Sequence, residues 1–329
     1  MTQSPPRLTV GVVGAGGIAH PHMAAWRHLG VDVLVYSDEG AEAAATQYGA
    51  RAVADLDQLL EECDVVDVCT PTFTHHEIVL AAASAGRHVI CEKPLSHLRE
   101  EAVEMIDACA AAGVQLHPGH VVRYFPEYTA AKAVVAAGRI GAPAVLRLTR
   151  RGARPQRTWF AESAKSGGIL IDQMIHDFDF ARWVAGDVVQ VYATEVGSAP
   201  GPTIGIAVLT HKSGALTHLL GGWGHEEEAF RTTLSIAGAH GLIRHSSLDA
   251  ESLSWSIPGA DPAHGELIPA GPLGSSPFVT ELAEFLASCA GGPTPRVTAE
   301  DSLAALTMAI AATRSNATGL PVRLEDGAL

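Results

Sequence analysis

The stretch Leu8-Thr9-Val10-Gly11-Val12-Val13-Gly14-Ala15-Gly16-Gly17-Ile18-Ala19 decides the fold. An apolar run of strand length meets a glycine turn, and an amphipathic helical run from Ile18 to Leu29 follows it. Gly14-x-Gly16-x-x-Ala19 between a strand and a helix is the fingerprint of a dinucleotide-binding turn. Gly14 permits the tight turn, Gly16 lets the backbone approach a pyrophosphate, and Ala19 lets helix and strand pack closely. Gly17 and Ile18 open the helix, whose first N–H groups and partial positive charge suit phosphate.

Outward from that turn, short apolar runs alternate with helical ones. Val31 to Tyr36 reads as a strand, Glu42 to Tyr48 as a helix, and Val65 to Cys69 as a strand. His75 to Ala85 reads as a helix and His88 to Cys91 as a strand; Ser96 caps a helix to about Ala112, and Val114 to His117 closes the series. This alternation predicts a doubly wound parallel sheet, a Rossmann architecture. After about residue 120 the pattern changes. Glu127 to Ala137 and Asp177 to Ala185 read as helices, and Pro143 to Leu148 as extended. From Val188 to Trp255, β-rich stretches with glycine turns predict a largely antiparallel sheet. Two helices follow, Val279 to Ala290 and Ala299 to Thr318, after a Gly- and Pro-rich stretch, Pro258 to Pro277, expected as a surface loop. The expected division is an α/β nucleotide domain over 1–122 and a second α/β domain over 123–329, whose last helix returns toward the first.

Composition narrows the partners. With 47% hydrophobic and 18% charged residues in 329, the chain is globular. A net charge of −14 disfavours nucleic acid and anionic lipid and leaves a small molecule as the expected partner. Arg147, Arg150, Arg151, Arg154 and Arg157 form the one dense basic run, read either as a solvated loop or as a patch steering an anion. No stretch has the length and apolarity of a membrane span, and Met1 to Arg7 lacks a signal-peptide core. Five cysteines without a C-x-x-C pair indicate neither a disulfide framework nor a zinc cluster, so a reducing cytoplasm is the expected setting. His20-Pro21-His22 and His75-His76 invite a metal, but no third ligand has compatible spacing, so no metal is expected.

The second strand ends at Tyr36-Ser37-Asp38. A carboxylate there accepts from the adenine ribose hydroxyls and repels a 2′-phosphate, which favours NAD over NADP. Ser37 at the critical position would weaken that preference.

Cys69-Thr70-Pro71-Thr72 and Glu92-Lys93-Pro94 stand at strand ends, and Gly167-Gly168-Ile169-Leu170-Ile171-Asp172 with His176-Asp177-Phe178-Asp179 comes later. Together with the glycine motif and the terminal helix opening at Glu300-Asp301, these resemble the Gfo/Idh/MocA family of oxidoreductases over nearly the whole chain. The resemblance implies a Rossmann domain followed by an α/β domain with a large open sheet, and a homo-oligomer, dimer or tetramer, built through that sheet. It implies that Lys93 reaches substrate and nicotinamide and that Glu92 touches cofactor. Thr70, Pro71, Thr72 and His75 are expected beside the cofactor. Asp172 and His176 map onto the later motif, and the Lys93–Pro94 bond is expected to be cis. Arg123 lies in a segment that approaches substrate in this family, although a structural role is an equal alternative. The family often carries Gly two residues after the motif Asp, where this chain has Met174, which either reshapes the pocket or fills the core.

The residues themselves support hydride transfer. Oxidising an alcohol needs a base for the hydroxyl proton, and an imidazole titrates in the useful range. Asp172 and His176 are four apart, so on a helical turn they share a face and the carboxylate can orient the ring. Lys93 supplies positive charge where an alkoxide develops. Asp179 either faces the same cleft or pairs with Arg182. The expected activity is NAD(P)-dependent dehydrogenation of a polyol, inositol or sugar-like alcohol. The alternatives are another carbonyl, imine or dihydrodiol substrate on the same scaffold, or a non-catalytic NAD-binding sensor.

Overall fold

The computed structural model describes residues 8–197, 201–225, 227–248, 253–256 and 276–324. The polar start and residues 258–275 of the expected loop lie outside these. In chain order the elements begin with β1 (Thr9–Val13), α1 (Ala19–Leu29), β2 (Asp32–Tyr36), α2 (Ala41–Tyr48), β3 (Arg51–Ala52) and α3 (Leu56–Glu62). Then come β4 (Val65–Val68), α4 (His75–Ser84), β5 (His88–Glu92), α5 (Arg99–Ala112), β6 (Leu116–Gly119), α6 (Pro126–Ala136) and β7 (Pro143–Ala153). The short helices α7 (Ser163–Ser166) and α8 (Gly168–Asp172) precede α9 (Ile175–Ala185). Strands β8 (Val188–Gly197), β9 (Thr203–His211), β10 (Leu216–Gly224), β11 (Arg231–Gly238), β12 (Leu242–Ser246) and β13 (Leu253–Ser256) follow. The chain ends in α10 (Pro277–Cys289), α11 (Ala299–Thr318) and β14 (Val322–Arg323). It divides into two compact units, one from the described residues of Met1–Tyr124 and Gly274–Leu303, the other from those of Phe125–Leu273 and Ala304–Leu329.

In the first unit six parallel strands run in the order β3-β2-β1-β4-β5-β6, the doubly wound arrangement expected from the alternating pattern. β4 is buried along its whole length, as a strand covered on both faces must be. Helix ends are set locally: Gly30, Gly49 and Gly113 close α1, α2 and α5 in the left-handed conformation. α3 escaped the sequence reading because its run is short and mostly polar, yet Asp55 marks its start by accepting the Gln58 N–H at 2.8 Å. Ser96 does not cap α5 as expected. The helix starts at Arg99, and Ser96 Oγ instead accepts the Leu98 N–H and donates to Glu101. The core gathers Val10, Val12, Met23, Trp26, Val35, Val65 and Ile90 with Leu282, Phe285 and Val297, so α10 is part of this unit's packing.

The second unit is built on an eight-stranded sheet, β13-β12-β11-β7-β10-β9-β8-β14. Only β7 and β10 pair parallel; every other pair is antiparallel. Burial alternates along β9, so one face is packed and the other open to solvent. α8 and α9 lie on the packed face. Met174 settles one question left open by the sequence. It is fully buried, and a Cβ added to Gly221 or Gly205, which are paired across β10 and β9, would meet its side chain at 2.5 and 2.7 Å. Met174 therefore fills the core over two glycines, a burial that stabilises by about 1.5–3 kcal/mol. The basic run is divided: Arg147, Arg150 and Arg151 belong to β7, with Arg150 buried against Asp177 and Arg151 paired with Glu228, whereas Arg154 and Arg157 follow the strand and Arg157 is exposed.

Candidate active site

The glycine turn has the backbone its sequence requires. Gly14 stands at φ 105°, and a Cβ there would lie 2.8 Å from the Cys69 carbonyl oxygen. Only glycine fits, because the conformation and the neighbouring strand end both exclude a side chain. The Gly14 N–H is held by the Tyr36 carbonyl at 2.8 Å, which ties the turn to the end of β2. Gly17 is exposed with nothing within 4 Å of its Cβ position, so the mouth of the turn is open. α1 has no acidic residue in its first turn, which leaves its N-terminal N–H groups and dipole available to an anion. Ile18 sits at the N-cap, and Ala19 is buried in the core.

Three neighbouring strand ends bring further expected residues to the same carboxyl edge. After β2, Ser37 is half-buried and exposed Asp38 accepts the Tyr36 hydroxyl at 3.1 Å. That bond, ahead of burial, raises the Tyr36 pKa. After β4, Thr70 and Pro71 lead into a 3-10 turn, Thr72–Thr74, fixed by Thr74 Oγ1 on Thr70 Oγ1 and on the Pro71 carbonyl, each at 2.8 Å. His75, buried, has Nε2 on the Thr70 carbonyl at 2.9 Å and Nδ1 on the Pro94 carbonyl at 3.0 Å. Its ring thus staples two loops of this edge together; burial lowers its pKa despite those carbonyls. At the end of β5 Glu92 is buried; just after it Lys93 is half-buried, and the Lys93–Pro94 bond is cis as expected.

Beneath this edge lies a cluster that spacing could not reveal. His22 Nδ1 lies 3.0 and 3.1 Å from the two Asp67 oxygens, and Nε2 lies 3.0 Å from Glu92 Oε1. Asp67 also accepts Trp26 Nε1–H at 2.7 Å. Burial pulls the His22 pKa down, but Asp67 and then Cys69 together outweigh it and leave it well above the ordinary value. Among the described residues, His22, Asp67 and Cys69 bring ligand-type atoms within 4.8 Å of one another. Two N–H donors, from His22 and Trp26, point at the Asp67 carboxylate, and burial pushes the Cys69 thiol up to about 12. These residues come from α1, the β4 end and β5, far apart in the chain, and a buried Asp67 within an apolar strand was the one available signal.

Arg123 is 1% exposed, and its Nη1 donates to the Arg296 carbonyl at 2.7 Å and to Asp301 at 2.9 Å. That burial and those partners favour the structural alternative: Arg123 ties its segment to the stretch between α10 and α11 within the first unit.

In the second unit Asp172 and His176 do not share one uninterrupted helical turn, which corrects that expectation. Asp172 closes α8, and His176 is the second residue of α9. Gln173 and Met174 between them keep right-handed helical dihedrals, and the Met174 N–H bonds to Ile169, five residues back. The result is a bulged junction between Asp172 and His176 rather than a regular turn. Asp172 is buried and His176 half-buried. Asp177, beside His176, is gripped by Arg150 through two 3.0 Å bonds, which fixes the start of α9 against β7. Asp179 is buried on the same helix, while Arg182 bonds Asp187.

Comparison with known proteins adds three findings. Residues 8–120 match the profile of an oxidoreductase family with an NAD-binding Rossmann fold, and residues 128–244 match a GFO/IDH/MocA C-terminal domain. The chain is 30% identical over 335 residues to a myo-inositol 2-dehydrogenase of Thermotoga maritima, covering 97% of this chain and 99% of that one. It is 30% identical over 339 residues to a 1,5-anhydro-D-fructose reductase of Ensifer adhaerens, covering 96% and 98%. In fold it is similar to a levoglucosan dehydrogenase solved with NADH and L-sorbose, with a TM-score of 0.85, 23% identity and coverage of 97% and 99%.

Proposed function

The chain belongs to the Gfo/Idh/MocA family of NAD-binding oxidoreductases, and from that premise we propose that it moves a hydride between NAD and a hydroxyl carbon of an inositol, other polyol or sugar. The observation that carries the reading is the meeting, on one edge of a parallel sheet, of the Gly14 turn, Asp38, the Thr70–Thr72 turn and Lys93, each following a neighbouring strand. Gly14, Gly16, Gly17, Ile18 and Ala19 would hold the pyrophosphate, and Ser37 and Asp38 the adenine ribose. Thr70, Pro71, Thr72 and Glu92 would line the nicotinamide end, with His75 setting the shape of their loops. The relatives named as an inositol dehydrogenase and an anhydrofructose reductase support a polyhydroxylated substrate.

When bound, the nicotinamide supplies the hydride acceptor. His176 takes the hydroxyl proton as the carbonyl forms, and Asp172 favours the charged imidazolium. Lys93 stabilises the developing alkoxide with its ammonium group. Asp179, three residues beyond His176 on the same helix, is a further candidate for the substrate side of the cleft. Asp38 sets the choice of NAD over NADP by repelling a 2′-phosphate. A cytoplasmic setting fits the five free cysteines, four of them buried, and no described helix is long and apolar enough to cross a membrane. A homo-oligomer joined through the open sheet fits Tyr192, Val196, Ile204 and Leu216, large apolar side chains 36–70% exposed on β8, β9 and β10.

The test is NADH formation at 340 nm with the full chain, NAD, and a panel of inositols, hexoses, pentoses and alditols, with NADP run in parallel. Turnover with at least one of these, at a higher kcat/KM with NAD, is expected. Tight NAD binding without hydride transfer to or from any member, in either direction, overturns the reading in favour of a sensor.

A further inference from the structure

Segment 92–94 is held at each of its residues, and one of the holders is the buried ring of His22. Glu92 Oε1 meets His22 Nε2 at 3.0 Å, and the other Glu92 oxygen accepts the Lys93 backbone N–H at 3.1 Å. The Pro94 carbonyl meets His75 Nδ1 at 3.0 Å. On its far side His22 donates to Asp67, which is steadied by the Trp26 indole. We propose that His22 is a positioning residue for Lys93: its ring, donating from both nitrogens, clamps the Glu92 carboxylate, and Glu92 in turn fixes the backbone from which the Lys93 amine projects. The catalytic consequence rests on the role given to Lys93 above; the clamp itself does not.

Two observations separate a clamp from ordinary core packing. First, the fold leaves room for the carboxylate. A Cβ on Gly119, in β6 beside Glu92, would lie 2.7 Å from Glu92 Oε1, so the strand is cut back where the His22 bond forms. Second, the groups around the ring leave one cation between two anions. Asp67 faces it from β4, Glu92 from β5, and Glu281 from α10; the Cys69 thiol adds no charge at neutral pH. Both carboxyl oxygens of Glu281 are buried without a hydrogen-bond partner among the described residues, and burial, then Glu92, raises its pKa well above the usual range. Glu281 bonds to neither ring nitrogen, which leaves Asp67 and Glu92 as the two acceptors of the ring. A ring needed only for packing would be satisfied by Asp67 alone; here the second nitrogen reaches the residue that abuts Lys93.

The test uses the full chain, His22→Gln, which retains donors from one amide nitrogen only, and Gly119→Ala, which presses on Glu92 while leaving His22 in place. The first readout needs no substrate: the rate at which Lys93 is acylated by an amine-specific reagent, followed by mass spectrometry with exposed Lys212 as internal control. Each variant that stays folded by circular dichroism is expected to change the Lys93 rate at least about threefold and leave Lys212 unchanged. Ring nitrogens of 15N-labelled His22, assigned by their loss in His22→Gln, are expected to stay at imidazolium shifts from pH 6 to 9. The second readout is turnover with the best substrate of the panel. His22→Gln should lower kcat about 10–100-fold, the scale of a misplaced catalytic group, with the KM for NAD within about threefold. Combined with Lys93→Ala it should cost no more than Lys93→Ala alone. Unchanged Lys93 acylation in both variants, a neutral His22 ring at pH 7, or losses that multiply in the double variant overturns the proposal. Changed acylation with a Lys93→Ala enzyme of normal turnover overturns instead the role assigned to Lys93 and leaves the clamp standing.

Discussion

Each unit holds a functional segment from behind with a buried ion network, but the two networks are made of different chemistry. In the first, His22 joins Asp67 and Glu92 under Lys93. In the second, Arg150 grips Asp177 beside His176. A guanidinium stays charged at any pH a protein tolerates and locks a carboxylate in two directions at once. An imidazole holds its second bond only while it keeps its second proton, and that proton depends on the carboxylates around it. The start of α9 is thus held by a device indifferent to pH, whereas the segment that carries Lys93 is held by one whose grip depends on the proton that Asp67 keeps on the ring.

The largest expected effect lies at the groups these networks carry. His176→Ala should lower turnover roughly 10²–10⁴-fold, the cost of losing acid–base catalysis, with NADH affinity by fluorescence titration little changed. Near-normal turnover would remove His176 from the chemistry and leave Arg150 and Asp177 as a purely structural pair.

Next comes the second-unit network. Asp177→Ala leaves the Arg150 guanidinium, 5% exposed, without its main partner. Breaking a buried pair from one side should cost about 3–5 kcal/mol, read as a lower urea midpoint. The loss should be the same at pH 6 and pH 9, and a pH-dependent loss would break the contrast drawn here.

A smaller effect belongs to another buried imidazole of the first unit. His117 is stacked on Phe285, and burial, with His88 adding to it, depresses its pKa to about 4. The unfolded chain takes up that proton near pH 6.5 while the folded one does not. Stability from this group is therefore whole above pH 6.5 and is lost as pH falls toward about 4. His117→Phe should flatten the acid side of a Tm-against-pH curve by up to about 3 kcal/mol; an unchanged slope would place the acid sensitivity elsewhere.

The smallest effect is at the exposed carboxylate of the cofactor edge. Asp38→Ala should shift the ratio of kcat/KM for NADP over NAD upward by a few-fold, about 0.5–1 kcal/mol, since solvent screens an exposed charge. No shift would point to Ser37 as the discriminating position.

The legible parts of this protein are those where chemistry is local. A glycine at φ 105° with a carbonyl against its face leaves no other residue possible, so the Gly14 turn could be read without coordinates. Most strands and helices of the first unit, and the largely antiparallel strands after residue 188, followed from short-range pattern for the same reason. α3 and α8 were not legible because short polar or glycine-led helices carry no period to count. Arg123 was left between two roles because its motif position says nothing of the Asp301 carboxylate 178 residues further along.

By itself, then, the order of residues determined the doubly wound sheet, the nucleotide turn and the family of chemistry, since each depends on backbone conformation and on patterns a few residues long. Tertiary structure alone decided that His22 stands between Asp67 and Glu92, that Met174 fills the space over Gly205 and Gly221, and that Asp172 and His176 flank a bulged junction. Those facts depend on which side chains are brought within bonding distance across tens of residues, and no local pattern encodes a distance of that kind.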